Sequence, residues 1–481
     1  MESDSVSRVS TEESLSSNDN SQESDANTKK SEDEPVPASL IINEDEIDSE
    51  TMVKMKGDAI GDTLYSERFV LKALMELKKQ NGAKIDDSFE KDLCLLWDMT
   101  IEKSVVKLLL EYSVLELFCS IIEITEDERL NEILVGIIGN MCCLKETREI
   151  LCNSPTVMET ILSQLQSQDP LILHQLMRLL HSAILFENSG DESLWFSHFK
   201  NCENLVEKFA YILSSSTSNT LLISSFEALN AVCAKFALIE ISESPKDSSF
   251  SQVFVKQSLI AAMIEAFKQV IPTIDEVGCT TTDLIPTQNT QKFMNLFLEL
   301  NLILSQYESV SMDAYRDHLP EFHKCLARIM LPLTQKMHLV PLTSNHQGVI
   351  ENINDIFQAL GDPFDGKCFS HMVVIWKFIE DDKNKGKEKK EKESEWEDTD
   401  EESTVIDIDD ICMTILEYLT RTGYNCKLEE FVESIKVLDK QTVTKLYERV
   451  NIDSEDEDEV QSISEKLKLS LKSLWNVPAC E

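Results

Sequence analysis

Four polar residues are the positions best suited to binding chemistry, because they recur at similar points of successive apolar helical segments. They are Asn140, Ser182, Asn230 and Asn301. A side-chain amide offers both a donor and an acceptor, which match the two polar groups of a peptide unit. Asn140 and Ser182 are 42 residues apart, and Ser182 and Asn230 are 48 apart. Helical repeats have periods of roughly 40–47 residues, so we predict that these side chains bind an extended peptide.

The fourth position and its neighbouring aromatic leave an alternative open. Asn301 follows Asn230 after 71 residues, which requires an insertion or an irregular repeat between them. Phe226 lies four residues before Asn230, one helical turn away on the same face. We include Phe226 among the candidate groove residues. The alternative for the asparagines is a solvated helix face, and for the phenylalanine it is the core.

Motifs of catalysis and of metal binding are absent from the sequence. It contains no Gly-x-Gly-x-x-Gly, Gly-x4-Gly-Lys-Ser/Thr, His-Glu-x-x-His or Gly-x-Ser-x-Gly. His174 and His181 are seven residues apart and can share a helix face, but no nearby set of cysteines or carboxylates completes a metal site. We predict that the protein is not an enzyme and uses no metal and no cofactor.

Net charge and cysteine content limit which classes of partner and which cell compartment we expect. The formal net charge is −42, which disfavours nucleic acid and anionic membranes because phosphate binding requires clustered Lys and Arg. Protein partners with basic segments are preferred. The 13 cysteines form no Cys-x-x-Cys pair, which favours reduced core thiols. With no secretory signal and no run of roughly 18 apolar residues, we expect an intracellular, soluble protein.

The elements that must position the polar residues are amphipathic helices. From residue 128 to 144, apolar residues recur at i, i+3, i+4 and i+7, the period of a helix. Ser154 and Pro155 are suited to the cap and the first turn of a following helix, and Asp169-Pro170 repeats that start signal. Helices that are apolar on most faces and restart every few turns are typical of a solenoid. The predicted fold is all-α, an armadillo- or HEAT-like helical solenoid with disordered acidic tails.

Composition divides the chain into four parts. Residues 1–56 are rich in Ser, Asp and Glu, which predicts a disordered acidic tail. Residues 57–380 carry the helical repeats. Residues 381–404 are a charged low-complexity run, predicted to be a linker, and residues 405–481 are predicted to form a small helical region with an acidic break. Ser31, Thr399 and Ser454 each precede acidic residues, so they are candidate sites for an acidophilic kinase.

Several sequence blocks resemble the serum amyloid A-like family, whose members are described as promoting synovial fibroblast proliferation. The blocks are residues 57–66, residues 97–99 and, most specifically, residues 129–141 (RLNEILVGIIGNM). The resemblance covers residues 57 to about 220. It implies an armadillo-like fold, residence in the nucleus, or also in the cytoplasm, and a role in promoting proliferation. The family has no assigned catalytic residues.

One departure from related folds bears on the function. Nuclear-import receptors of the armadillo fold place a tryptophan one turn before the groove asparagine, and Gly136 stands there in this sequence. We predict a non-enzymatic protein-interaction scaffold that supports cell proliferation, mainly in the nucleus. A transport adaptor for basic protein cargo and a constitutive subunit of a larger assembly are the alternatives.

Overall fold

The computed structural model describes residues 57–185, 194–240, 249–271, 286–392, 407–453 and 457–475. The predicted acidic tail, residues 1–56, lies outside these ranges. So do the three candidate phosphorylation sites, Ser31, Thr399 and Ser454, which stay predictions.

All regular elements of the described residues are helices, apart from one isolated bridge between Ala59 and Ser66. The all-α prediction is therefore confirmed. The helices are α1 (Glu67–Gln80), α2 (Asp87–Met99), α3 (Lys103–Glu111), α4 (Val114–Ile122), α5 (Glu128–Met141), α6 (Lys145–Asn153), α7 (Pro155–Ser163), α8 (Pro170–Leu185), α9 (Leu194–Asn201), α10 (Leu205–Ser215), α11 (Asn219–Glu240), α12 (Ser249–Phe254), α13 (Gln257–Val270), α14 (Gln288–Ser305), α15 (Glu308–Tyr315), α16 (Leu319–Met330), α17 (Lys336–Leu339), α18 (Ser344–Ala359), α19 (Gly366–Lys392), α20 (Ile408–Tyr424), α21 (Leu428–Ile435), α22 (Lys440–Asp453) and α23 (Glu457–Trp475).

From α3 to α14 the helices group in threes, and each group packs on the next. Beyond α14 the third helices are α18 and α20, because the short α17 interrupts one group and α19 has no separate first helix before it. The third helices form one continuous stack, in which α2, α5, α8, α11, α14, α18 and α20 contact one another in that order. The second helices form a parallel stack, with α4 on α7, α10 on α13, α13 on α16 and α16 on α19. A hydrophobic core runs between the two stacks. This arrangement is the armadillo-like solenoid that the sequence predicts.

Local start signals set the helix boundaries. The Asp127 carboxylate accepts hydrogen bonds from the backbone N–H groups of Arg129 and Leu130, so α5 begins with a capped turn. Pro155 is the first residue of α7, as predicted. The predicted cap by Ser154 is wrong, because its side chain makes no cap hydrogen bond. That residue is a one-residue junction, since α6 already runs to Asn153.

The charged run after residue 380 is in part a continuation of the solenoid. Helix α19 extends to Lys392, so residues 381–392 of the predicted linker are helical. Lys445 Nζ lies 2.7 Å from an Asp381 carboxylate oxygen, and Lys383 forms an ion pair with Asp409. The charges at the start of this run thus pair with α20 and α22, which pack on α19.

Candidate functional site

The exposed side of four successive third helices forms the candidate site. On α8 the exposed or half-buried positions recur at i, i+3, i+7, i+10 and i+14, and α11, α14 and α18 continue the surface. We call this surface the third-helix face. Its residues are Leu171, His174, Arg178, His181, Leu185, Glu227, Asn230, Lys292, Asn295, Glu299, Asn345, Glu351 and Asp355.

Polar side chains join neighbouring helices across this face. His174 Nδ1 lies 3.0 Å from Ser224 Oγ, a contact between α8 and α11. The Asn295 amide donates to Asn345 Oδ1 at 2.7 Å, which joins α14 to α18. These bonds fix the register of successive third helices, so the side chains between them keep a constant spacing.

Asn230 lies at the centre of the face, between α11 and α14. Its amide nitrogen donates to Glu299 Oε2 at 2.6 Å, and beside it Lys292 forms an ion pair with Glu227. The Asn230 Oδ1 atom is buried and has no hydrogen-bond partner among the described residues. The Asn230 donor is therefore used by the protein and its acceptor is enclosed, and its peptide-binding role stays a prediction.

A cluster of charges surrounds His174. Burial is the main cause that lowers the pKa of His174, and the neighbouring Arg178 lowers it further. Glu227 on α11 and Glu132 on α5 act in the opposite direction. Because the net effect is a pKa below the usual value, His174 is a neutral hydrogen-bonding residue at pH 7.

Near the N-terminal end of the stack of third helices, Trp97 of α2 packs against α5. A Cβ atom on Gly136 would come within 2.1 Å of Trp97 Cζ2, so the indole lies directly on that glycine. The Asn140 amide donates to the Trp97 carbonyl oxygen at 3.3 Å and to Thr100 Oγ1 at 3.1 Å. The Asn140 donor thus holds the end of α2, while the side chain is half-buried, and its peptide-binding role stays a prediction.

An ion-pair network joins α5 to α2 in the same region. Arg129 of α5 contacts Glu90 Oε1 through Nε at 2.7 Å and Glu132 Oε2 through Nη1 at 2.6 Å. Burial acts to lower the pKa of Arg129, but the hydrogen bonds that it donates to these two carboxylates raise its pKa above the usual value. Residues 132–139 of α5 are all buried. The third-helix face, as defined above, therefore starts at α8.

Two predicted groove residues belong to the core. Asn301 is 1% exposed, its amide donates to the Phe297 carbonyl oxygen at 2.7 Å, and its Oδ1 accepts from the Tyr315 hydroxyl at 2.7 Å. Phe226 is fully buried, with its ring centroid 4.8 Å from that of Phe293. Both predictions are corrected, because neither side chain can reach a partner from inside the packed repeats.

Ser182 remains a candidate, and the structure adds residues that the sequence analysis missed. Ser182 is half-buried on α8, at the edge that faces α5. Leu171, Arg178 and Leu185 are exposed on the same helix. Their helical spacing was visible in the sequence. Identifying them as surface residues, however, required knowing which side of α8 meets solvent.

The face becomes acidic toward its C-terminal end. Glu351 and Asp355 lie on α18, and Glu417 is exposed on the adjacent α20. The single Lys or Arg on these two helices, Arg421, is bound to Asp362 with an Nε–Oδ2 distance of 3.1 Å. This end of the surface therefore presents carboxylates that no cation on the same helices neutralises.

Three other features of the described residues bear on metal, thiol and membrane chemistry. No group of three or more His, Cys, Asp or Glu side chains with metal-binding geometry occurs among them. Burial raises the pKa of the Cys142 thiol to about 12, which is unsuited to nucleophilic chemistry. One stretch, Asn219–Ala237 of α11, is long and apolar enough to cross a membrane, but over half of it is buried in the solenoid.

Comparisons with curated proteins find relatives of modest identity. The chain is 27% identical to Protein saal1 of Danio rerio over 236 residues, which is 46% of this chain and 50% of that protein. It is 29% identical to Protein saal1 of Xenopus tropicalis over 188 residues, 36% of this chain and 40% of the relative. Over these regions the chain is similar to proteins named saal1. The predicted resemblance is thus confirmed, and the chain spans about half the length of the curated relatives it matches. No family model matches the sequence.

Solved structures with a similar course of the chain are helical repeat proteins. A designed armadillo repeat protein is 10% identical and covers 60% of this chain and 99% of its own, with a TM-score of 0.38. The karyopherin Kap121p, solved bound to Pho4p, is 11% identical and covers 88% of this chain and 37% of its own, with a TM-score of 0.34.

Proposed function

We propose that the protein is a non-enzymatic interaction scaffold that binds an extended protein segment along the third-helix face. The observation that carries this proposal is the exposed stripe of α8, continued across α11, α14 and α18. It combines apolar side chains, such as Leu171 and Leu185, with amides and carboxylates. Mixed apolar and polar surfaces of this kind suit partners that bury side chains and also pair backbone groups.

We further propose that the bound segment is basic where it crosses α18. Glu351 and Asp355 are the charges available there, and the positive charge nearest to them along the stack, Arg421, is held by Asp362. A lysine or arginine side chain reaching this end would therefore meet unneutralised carboxylates. Nuclear residence and support of proliferation are also proposed, and they rest on the resemblance to the serum amyloid A-like family.

Photo-crosslinking in cells tests the binding surface. A benzophenone amino acid replaces Leu185 on the third-helix face or, as a matched control, Tyr211 on α10; these side chains are 58% and 57% exposed. We expect the probe at 185 to crosslink a small set of proteins that the probe at 211 does not. Equal crosslinking patterns from the two positions would contradict the proposed surface.

Charge reversal tests the basic segment. The double variant Glu351→Lys and Asp355→Lys should abolish crosslinking from position 185 or shift it to other proteins. The control double variant, Glu116→Lys and Glu207→Lys on the exposed sides of α4 and α10, changes the net charge equally and should have no effect. If both double variants behave like the wild type, the partner is not selected by this acidic end.

A further inference from the structure

The third-helix face carries charges of opposite sign at its two ends. Helix α8 at one end contains Arg178 and no Asp or Glu. Helix α18 at the other end contains Glu351 and Asp355 and no Lys or Arg. In a chain whose formal net charge is −42, the α8 end of the face is therefore locally cationic, whereas the α18 end is acidic like most of the protein.

The Arg178 guanidinium is exposed and is available to a partner. Its Nη1 donates to Gln175 Oε1 at 2.7 Å, and its other N–H groups have no partner among the described residues. On the neighbouring α5, the Glu132 carboxylate is bound by Arg129 instead, at 2.6 Å. A guanidinium presents its N–H groups in a planar fork that matches the two oxygens of a carboxylate. The α8 end can therefore form an ion pair with an acidic side chain.

At the centre of the face, the protein uses most of its own charges. Glu227 of α11 forms an ion pair with Lys292 of α14, and the Glu299 carboxylate of α14 accepts from the Asn230 amide at 2.6 Å. Neither basic residue of α8 and α14 is therefore left to offset the other's helix. The charge that remains for a partner changes from positive at α8 to negative at α14 and α18.

The carboxylates at the α18 end bind only neutral groups among the described residues. The Gln347 amide donates to Glu351 Oε1 at 2.7 Å, and the Asn354 amide donates to Asp355 Oδ1 at 3.1 Å. A hydrogen bond from a neutral amide leaves the negative charge in place. Arg178 and Glu351 each lie near the middle of their helices, so a segment that crosses the helices there meets both ends of the face.

The number of helices between the two ends sets the spacing of the partner's charges. Helices α8, α11, α14 and α18 contact one another in that order, which makes three steps from one end to the other. Packed helix axes lie about 8–10 Å apart, so the ends are about 24–30 Å apart. An extended chain advances about 3.3–3.6 Å per residue and spans this distance with about seven to nine residues.

We propose that the segment bound on the third-helix face is dipolar. It places an Asp or Glu side chain on Arg178 and a Lys or Arg side chain on Glu351 and Asp355, about seven to nine residues away. The opposite placement would bring like charges together at both ends, so the charges decide which end of the segment lies on α8. This inference rests on the proposed function and adds the acidic residue, its spacing from the basic one and the order in which they cross the face.

Selection from a random peptide library tests the charge order. Phage-displayed peptides of 14 random residues are selected on the full-length protein, and the enriched sequences are compared with the input. We expect enriched peptides in which an Asp or Glu lies about seven to nine residues from a Lys or Arg. Because an acidic protein without this site would enrich basic residues alone, the acidic position is the informative one.

Arg178→Glu and Lys200→Glu are the matched variants. Both residues are exposed, and Lys200 lies on α9, outside the face. For a selected synthetic peptide, Arg178→Glu should weaken binding about three- to tenfold in fluorescence anisotropy at 50 mM salt, because one ion pair becomes a repulsion. Replacing the acidic residue of the peptide by lysine should restore binding to that variant. Lys200→Glu should bind the peptide like the wild type, and circular dichroism would show that both variants are folded.

Crosslinking of the selected peptides from position 185 separates this inference from the proposed function. Peptides that crosslink there without an acidic residue at this spacing would overturn the inference and leave the proposed function intact. Equal peptide binding by the Arg178→Glu and Lys200→Glu variants would do the same. If no selected peptide crosslinks from position 185, the proposed function fails and the inference with it. Crosslinks, without peptide, to residues 1–56 of the same chain or to a second copy would identify a different occupant and overturn the proposal.

Discussion

Replacing Gly136 by alanine should destabilise the protein, although alanine is the better helix former. In an unobstructed helix interior the change would stabilise by about 1 kcal/mol. At position 136, however, the added Cβ would lie 2.1, 2.4 and 2.8 Å from three ring atoms of Trp97. Overpacking costs about 1–3 kcal/mol, and an approach of 2.1 Å to a rigid indole ring belongs to the upper part of that range, about 2–3 kcal/mol. We therefore expect a net loss of about 1–2 kcal/mol in the free energy of unfolding.

Two other helical glycines are the matched controls. A Cβ on Gly139 would lie 3.5 Å from Leu179 Cβ, an ordinary van der Waals distance, and a Cβ on Gly348 would meet nothing within 4 Å. Alanine at either position should raise the free energy of unfolding by up to about 1 kcal/mol, because only the helix preference remains. The sign of the effect should thus differ between Gly136 and Gly139, which are one turn apart.

Urea unfolding followed by circular dichroism at 222 nm measures these changes. The same Gly136→Ala change is then repeated in a Trp97→Leu background, where the ring is gone. There it should be neutral or stabilising, so the two positions should be coupled by about 2 kcal/mol. The reasoning is refuted if Gly136→Ala is as stable as the wild type, or if its cost is the same in both backgrounds.

Three further predictions concern the core and the C-terminal helices. Asn301→Leu leaves the Tyr315 hydroxyl without its acceptor and should cost about 1–3 kcal/mol by urea unfolding, whereas adding Tyr315→Phe should recover part of that loss. Lys466 Nζ donates to three backbone carbonyls at the end of α20, at 2.7–3.0 Å, so Lys466→Met should speed amide hydrogen exchange in α23, and an unchanged rate would count against it. Burial lowers the pKa of His323 below that of the unfolded chain, so the unfolded state binds more protons and stability should fall as the pH drops below about 6.5. His323→Gln should reduce that pH dependence, measured by urea unfolding between pH 5 and 8, and an identical profile would contradict it.

The sequence predicted the fold correctly where the signal was local, as in apolar spacing and helix start residues. The apolar stripe of residues 128–144 and the Asp169-Pro170 start correspond to the buried side of α5 and to the capped start of α8. The charged run after residue 380 was misjudged at its start, because composition alone favours a linker. Its opening charges instead pair with one carboxylate and one lysine of helices that come later in the chain.

The candidate site could be predicted from the sequence only in part. The four polar positions were predicted to be equivalent, and all four do lie on third helices that pack in succession. Their surroundings differ. Asn301 is enclosed with Tyr315, whereas Asn140, Ser182 and Asn230 are half-buried, and the Asn140 and Asn230 donors bind α2 and α14. Helical spacing places a residue on a helix, but it does not reveal what packs against that residue.

The sequence by itself determined the helices, their order and their repeat period, because apolar spacing and start signals act within a few residues. Tertiary structure alone decided which helix sides meet solvent. Trp97 lies 39 residues before Gly136 and still fills the space above it, so the glycine that suggested a missing aromatic marks where one from the preceding repeat packs. A cavity of about 410 Å³ between the N-terminal ends of α14 and α18 has the same origin. Its wall also includes residues of α16, of α17 and of the turn between them, so no single helix carries enough of that wall to be recognised in the sequence.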